Sequence, residues 1–435
     1  MSIAWLACGC AHAPWVGDPS AEPPRICAAI QPPPGHGGGR PPNEPVACAQ
    51  TFYCRGLYVP AATLLTEAVI EKPDAPATDR ATALRWLVYI HRRFPGWEWI
   101  GSVVGQAGGV DLDQPELADV RDELHLLAGQ DAERRAQFAE ALALLRAIPV
   151  SSALHVRATL LEGAIDVQTD APERAQVAFV EALRAATADR DPRHARDREV
   201  AVISLARSHY ALRQFETASR YYESLPASSE YAISAAMEGA WTRVQMNDQP
   251  RALALLQSLE ARSRDVPADT MAEAMVLEAT LALQRNKYRE AETITRRFND
   301  VYPALFVQAR RLAGYETDAL HDIGLSVLTG GSLAPPLGRD RTLLLLADVP
   351  VARRFDELDE ISREEKAIAA TAAYADEEAR IRLGERREVA EREAGDSFRR
   401  RLQLVADHLA ERLEQAIKIE YDALGMERAA LKRLW

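Results

Sequence analysis

The sequence predicts an all-α protein: a solenoid of helical hairpins followed by a long charged helical hairpin or coiled coil. Three observations carry this. Alanines recur at a fixed distance, Ala175 following Ala141 by 34 residues and Ala252 following Ala218 by 34, and a period of roughly 20–50 residues marks repeat architectures. Aromatic residues make up 6% of the chain against 47% hydrophobic residues overall, an Ala-rich balance that suits close-packed helices better than sheets. Residues 351–435 contain no proline and hold 17 Arg/Lys and 20 Asp/Glu, the density of long exposed helices.

The N-terminus comes first. A short apolar run leads into Ala7, Cys8, Gly9 and Cys10. This resembles the end of a bacterial lipoprotein signal peptide, in which small residues precede a lipidated Cys that becomes the mature N-terminus. The resemblance implies residues 1–10 as a remnant signal with Cys10 as acceptor, Cys8 being the alternative. The basic segment is missing and the apolar run is shorter than the usual roughly 7–15 residues; a start codon assigned too late would explain both. Residues 11–41 include Pro32–Pro34, Pro41 and Gly37–Gly39, a composition that reads as an extended tether. All five cysteines lie in the first 54 residues. In an oxidising compartment Cys27 can pair with Cys48 or with Cys54. Cys48 and Cys54, six apart on one expected helix, face different sides and do not pair with each other.

Residues 42–326 hold the hairpins. The clearest unit, over about 42–75, carries Ala49, Phe52, Gly56, Tyr58, Ala61, Leu65, Ala68 and Pro73. Pro60 falls in the first turn of its second helix, where the missing N–H does little harm. Residues 79–106 give a less regular hairpin that turns at Pro95 and Gly96. Phe138 and Ala141 open the second helix of the next unit. Ala175, Phe179 and Ala182 follow, with Gly163 at a tight helix contact. Phe215, Ala218 and Tyr222 come next, then Ala252, Leu256 and Leu259, and last Ala279, Tyr288 and Ala291, with Pro303 as the expected stop. The spacing stretches to 43 between Ala175 and Ala218 and to 39 between Ala252 and Ala291; loops at Thr187–His194 and Arg262–Thr270 are expected to absorb the excess.

The small, aromatic, Gly, Tyr, Ala, bulky, Ala and Pro order of the first unit resembles the tetratricopeptide (TPR) repeat. The layout as a whole resembles bacterial TPR lipoproteins of the cell envelope. In that family the first helix of each hairpin lines a concave groove that holds another protein. Carried across, the resemblance implies a partner groove at Gln168, Arg207, Tyr210, Trp241, Gln245 and Gln284. Tyr, Trp and Arg are also the residue types enriched among interface anchors.

Residues 304–326 are expected to form two short helices that continue or cap the stack, and 327–350 a loop and short helix. In 351–435, Phe398, Leu402, Val405, Leu409, Leu413 and Ile417 step by three or four and form an apolar seam. Gly384 and Gly395 are the expected bend points. The basic triplet Arg399–Arg401 reads as a solvated helix face.

Composition bears on function as well. A net charge of −12 disfavours a phosphate-backbone partner. No phosphate-binding, dinucleotide-binding, zinc-protease or nucleophile-elbow motif occurs. No catalytic, cofactor or metal residue is therefore expected, and no cofactor. The expected role is a non-catalytic scaffold or adaptor, lipid-anchored on the periplasmic side of the outer membrane, within an envelope, secretion or motility assembly. Its partners would be other proteins, met through the groove and through the C-terminal helices; the membrane would be met only through the lipid. The alternatives are a soluble cytoplasmic TPR-like adaptor or chaperone and, further off, a relative of superhelical peptidoglycan-acting enzymes lacking its catalytic domain.

Overall fold

The computed structural model describes residues 45–432 except 73, 109, 189–193, 334 and 371–376. Cys8, Cys10, Cys27 and the tether expected over 11–41 lie outside the described residues. The protein is all-α: the described residues form eighteen α-helices and no strand, with a π-helical turn at Glu67–Glu71 and a 3-10 turn at Pro115–Leu117. Within each of its two compact units helices adjacent in the chain pack on one another, and a helix of 56 residues ends the described chain. The chain divides into two compact units. One holds the described residues up to Ala211 with Asp356–Ala390; the other holds Leu212–Phe355 with the residues from Glu391 on.

The first unit contains the pairs α1 (Pro45–Cys54) and α2 (Tyr58–Thr66), α3 (Ala77–Arg93) and α4 (Glu98–Gln106), α5 (Arg121–Arg134) and α6 (Phe138–Arg146), and α7 (His155–Gln168) and α8 (Pro172–Ala188), then α9 (Ala195–Ala211). The second contains α10 (Phe215–Ser224), α11 (Ala232–Gln245), α12 (Gln249–Ala261), α13 (Ala268–Gln284), α14 (Tyr288–Ala313), α15 (Thr317–Thr329) and α16 (Arg339–Leu346). Helices α17 (Val349–Ala369) and α18 (Glu377–Lys432) contribute residues to both units.

The hairpins share one turn. Gly56, Ala136, Asp170, Arg213, Asn247 and Asn286 all adopt the left-handed conformation, with φ between 56° and 79°. In five of these turns the next N–H reaches back to the carbonyl five residues earlier: Leu57 to Phe52 (2.9 Å), Gln137 to Ala132 (2.8 Å), Ala171 to Asp166 (2.8 Å), Asp248 to Arg243 (2.8 Å) and Lys287 to Ala282 (2.9 Å). This is the Schellman closure, which satisfies carbonyls that a helix end would orphan. Five residues after each turn residue stands a fully buried alanine: Ala61, Ala141, Ala175, Ala218, Ala252 and Ala291. The spacings of 34, 43, 34 and 39 read from the alanines are therefore the spacings of the turns themselves. Within a hairpin the helices touch closely. A Cβ on Gly163 in α7 would lie 2.5 Å from the Phe179 ring in α8, so only glycine fits that contact.

The excess between Ala175 and Ala218 does not begin at Thr187, because α8 runs on to Ala188. Pro303 does not stop the last hairpin either. Helix α14, 26 residues long, continues through it to Ala313, so the two short helices expected over 304–326 are instead the end of α14 and the start of α15. Phe298, Tyr302, Leu305, Ala309 and Leu312 continue one buried face across the proline. Burial of that face offsets the roughly 3 kcal/mol of an interior proline. Cys54 is in a disulfide and Cys48 is a buried free thiol, so the pairing of Cys27 through Cys48 falls.

The charged C-terminal helices fold back on each other. In the first unit Arg387 of α18 holds Glu365 (2.5 Å) and Ser362 (2.9 Å) of α17. In the second, Arg354 of α17 holds Glu393 of α18 at 3.1 Å. The bends do not fall at Gly384 and Gly395, which both lie inside the continuous α18. A helix interior tolerates glycine at a cost of about 1 kcal/mol, and α18 has packing on its buried face to offset it. Phe398, Leu402, Val405 and Leu409 are buried as the seam predicts, but beyond Leu409 the buried line passes to Ala416, Ile419 and Ala423, and Ile417 is 62% exposed. An ideal helix turns at 3.6 residues, so a strict seven-residue seam drifts off the contact line.

One first-unit contact shows why these helices matter. Leu57, the N-cap of α2, has no side chain able to cap it. The orphan N–H groups of Tyr58 (2.9 Å) and Val59 (3.2 Å) donate instead to the Glu364 carboxylate of α17, buried to 3% exposure. Burial pushes this carboxyl up to about 8, against the pull of the Val59 and Tyr58 amides, and Glu360 adds to the rise. An unfolded Glu titrates near 4.3, so between about pH 4.3 and 8 the folded chain holds a proton that the unfolded chain has lost. The contribution is whole below about 4.3 and drains away as pH rises through 8. Urea melts across this range should show first-unit stability falling with pH. Glu364→Gln, which keeps an acceptor oxygen and cannot ionise, should flatten that slope.

Candidate protein-binding face

The residues expected to line a groove fall in both units, and each set stands by itself. In the first unit Gln168, at the end of α7, donates to Glu133 of α5, which is 7% exposed. Arg207 and Tyr210 are half-buried one turn apart on α9, and both are engaged within the protein. In the second unit Trp241 and Gln245 lie four apart on α11, Gln245 exposed and Trp241 half-buried. Gln284, exposed at the end of α13, accepts from Gln249 of α12 at 3.3 Å.

Trp241 is the centre of the second-unit set. Its indole N–H donates to Glu273 of α13 at 2.7 Å. Glu273 is 9% exposed. Burial pushes its carboxyl up, while the Trp241 hydrogen bond and the charges of Arg412 and His408 on α18 pull it down. One turn earlier on α13, Asp269 accepts from Arg401 and from His408 of α18, both at 3.2 Å. Burial raises this carboxyl too, but the His408 hydrogen bond and the Arg401 charge and hydrogen bond win and hold it down at about 2. Arg401 reaches Asp348 as well, at 3.0 Å. Further along, Asn299 of α14 donates to Glu420 of α18 at 2.9 Å.

This ion cluster is not visible in the sequence of α18 alone: of Arg399–Arg401, expected on a solvated face, only Arg400 is exposed. Arg401 is 12% exposed at the side chain, and Arg399 donates to the Tyr315 carbonyl (3.0 Å) and the Thr317 hydroxyl (2.8 Å). The signal was available in the opposite helix. Asp269 and Glu273 sit four apart on the same side of α13 as Ala272 and Val276, where an apolar stripe would run on. Acids there need cations facing them.

The first unit repeats the chemistry with other residues. The Trp99 indole N–H donates to Glu357 of α17 at 3.1 Å; Arg386 of α18 binds the same carboxylate at 2.6 Å and lies 4.9 Å over the Trp99 ring. In each unit a Trp–Glu pair is held beside basic residues of α18. Both carboxylates are buried and taken up by these internal bonds, which fix the orientation of the two half-buried indoles. Among the described residues no group of His, Cys, Asp and Glu is placed to hold a metal ion, and no helix is long and apolar enough to cross a membrane. No protein-family model matches the chain, and no curated protein matches it.

Proposed function

We infer that this chain is a non-catalytic protein-binding scaffold of the TPR kind. In this reading a lipid on Cys10, or on Cys8, tethers it to the periplasmic face of a bacterial outer membrane, where it holds together proteins of an envelope, secretion or motility assembly. The observation that carries the reading is the recurrence of one left-handed turn and one buried alanine at six turns, because within each unit a stack of like hairpins presents a row of like faces. The disulfide at Cys54 supports an oxidising compartment. The second-unit face around Trp241, Gln245 and Gln284 is the proposed partner contact, with Arg207, Tyr210 and Gln168 as its first-unit counterpart.

The test uses full-length protein extracted from membranes of the native cell. Mass spectrometry of its N-terminus should find a lipidated Cys10 or Cys8. An unmodified N-terminus in the soluble fraction would sink the anchored reading in favour of a cytoplasmic adaptor. A protein that co-purifies with the wild-type chain should bind Trp241→Ala at least tenfold more weakly, since anchor tryptophans typically contribute about 2 kcal/mol or more. Trp241→Phe, which keeps the ring and loses the N–H, should fall between. Equal binding by all three would remove Trp241 from the contact.

A further inference from the structure

The second unit contains a cavity of about 770 Å3 between α13, α14, α16 and α18, within the range of about 300–1,000 Å3 that takes small molecules. Its walls are apolar: Val266, Met271, Leu305, Leu337, Leu345 and Leu409 all face it, and all are buried. The polar groups are few: Ser263, Arg264, Tyr302, Asp340 and Arg341. Tyr302 is 6% exposed and lines the cavity, and its hydroxyl has no hydrogen-bond partner among the described residues. Arg264 and Arg341 reach the cavity from exposed positions, and neither is ion-paired among the described residues. Asp340 also lines it, so the three charged residues leave one net positive charge.

The Tyr302 side chain is buried while its hydroxyl opens onto the cavity, where an acceptor on a bound molecule would take the hydrogen bond that water otherwise takes. Burial pushes the Tyr302 phenol up to about 12, with Arg341 and Arg297 pulling the other way. It therefore stays a neutral donor at any physiological pH, and Arg341 lies within electrostatic reach of it. An uncharged solute would leave the arginines unused, and a small anion would leave the apolar walls wet. Both are answered by a long apolar chain with a single anionic end.

We propose that this cavity binds a single-chain fatty carboxylate, its hydrocarbon against Met271, Leu305 and Leu409 and its carboxylate accepting from Arg341 and the Tyr302 hydroxyl. The site is separate from the face around Trp241 and does not depend on that face having a partner.

Isothermal titration of the delipidated full-length chain tests this with palmitate, decanoate and hexadecanol. Palmitate should bind one per chain. Decanoate should bind far more weakly, since roughly each two methylenes are worth about tenfold. Hexadecanol should bind at least tenfold more weakly than palmitate. Arg341→Ala, an exposed position that leaves the core alone, should close the gap between palmitate and hexadecanol. Tyr302→Phe keeps the ring stacked on Phe298 (4.6 Å between centroids) and should weaken palmitate by severalfold. Leu305→Trp, which fills the cavity, should abolish binding of both ligands. The proposal is overturned if palmitate does not saturate at one per chain. It is likewise overturned if hexadecanol matches palmitate, or if Arg341→Ala and Tyr302→Phe both leave palmitate binding unchanged.

Discussion

Gly395→Ala should destabilise the protein by about 1–3 kcal/mol, although the same change in a free helix would add about 1 kcal/mol of stability. The reversal comes from one contact. A Cβ on Gly395 of α18 would stand 2.2 Å from the backbone carbonyl oxygen of Thr317 and 2.6 Å from its methyl group. A backbone carbonyl at the first residue of α15 cannot rotate away as a side chain does. The crossing is pinned from both sides, since the Thr317 hydroxyl donates to Asp396 at 3.0 Å and Arg399 binds the Thr317 hydroxyl and the Tyr315 carbonyl. Gly384 and Gly425 are the controls. Nothing lies within 4 Å of a Cβ at either position, so alanine there should raise stability by up to about 1 kcal/mol. Urea melts of the three variants decide the matter. A gain at Gly395 would mean that α18 does not pass against α15 as described.

Asp269→Asn should lower stability by about 3 kcal/mol at neutral pH. Removing one charge from a buried, hydrogen-bonded cluster leaves its partners desolvated and uncompensated, and here both Arg401 and His408 lose their shared acceptor charge. The effect carries a pH signature. The folded carboxyl is held down at about 2 against roughly 3.9 in an unfolded chain. Its contribution is whole above about pH 4 and is lost as pH falls through about 2. The difference between wild type and Asp269→Asn should therefore shrink on acidification across that interval. A constant difference would mean that the carboxylate's charge is not what the cluster depends on.

Much of the fold was legible because hairpin repeats write the same constraint several times. Phe138, Phe215 and Tyr288 begin helices α6, α10 and α14, as their pairing with a following alanine implied. The turn residue itself was not legible. A left-handed position normally asks for glycine or asparagine, yet Ala136, Asp170 and Arg213 occupy it; at Ala136 and Asp170 the Schellman bonds and the packing of the hairpin override local preference. The C-terminal third is legible only in part. Its helices and its seam are visible in spacing, since spacing encodes which side is apolar. What the seam packs against is not encoded there, because contacts such as Asp269 with Arg401 join residues more than a hundred apart. The same limit hid the Asp269–Glu273 cluster beside Trp241. Its acids look like surface charges until the facing arginines are in place.

The capping of α2 by Glu364 has a consequence in time. Tyr58 and Glu364 are 306 residues apart. A ribosome adding roughly 5–20 residues each second needs about 15–60 s to travel between them. For that interval the first hairpin exists without its cap and without α17, its amides and apolar flank open to the cell, although its own two helices form in microseconds. A chain built this way can assemble its hairpins one after another as they emerge and close them only near the end of synthesis. Early termination within α17 or α18 would thus leave hairpins that are formed but unsealed, the kind of surface that chaperones and proteases act on.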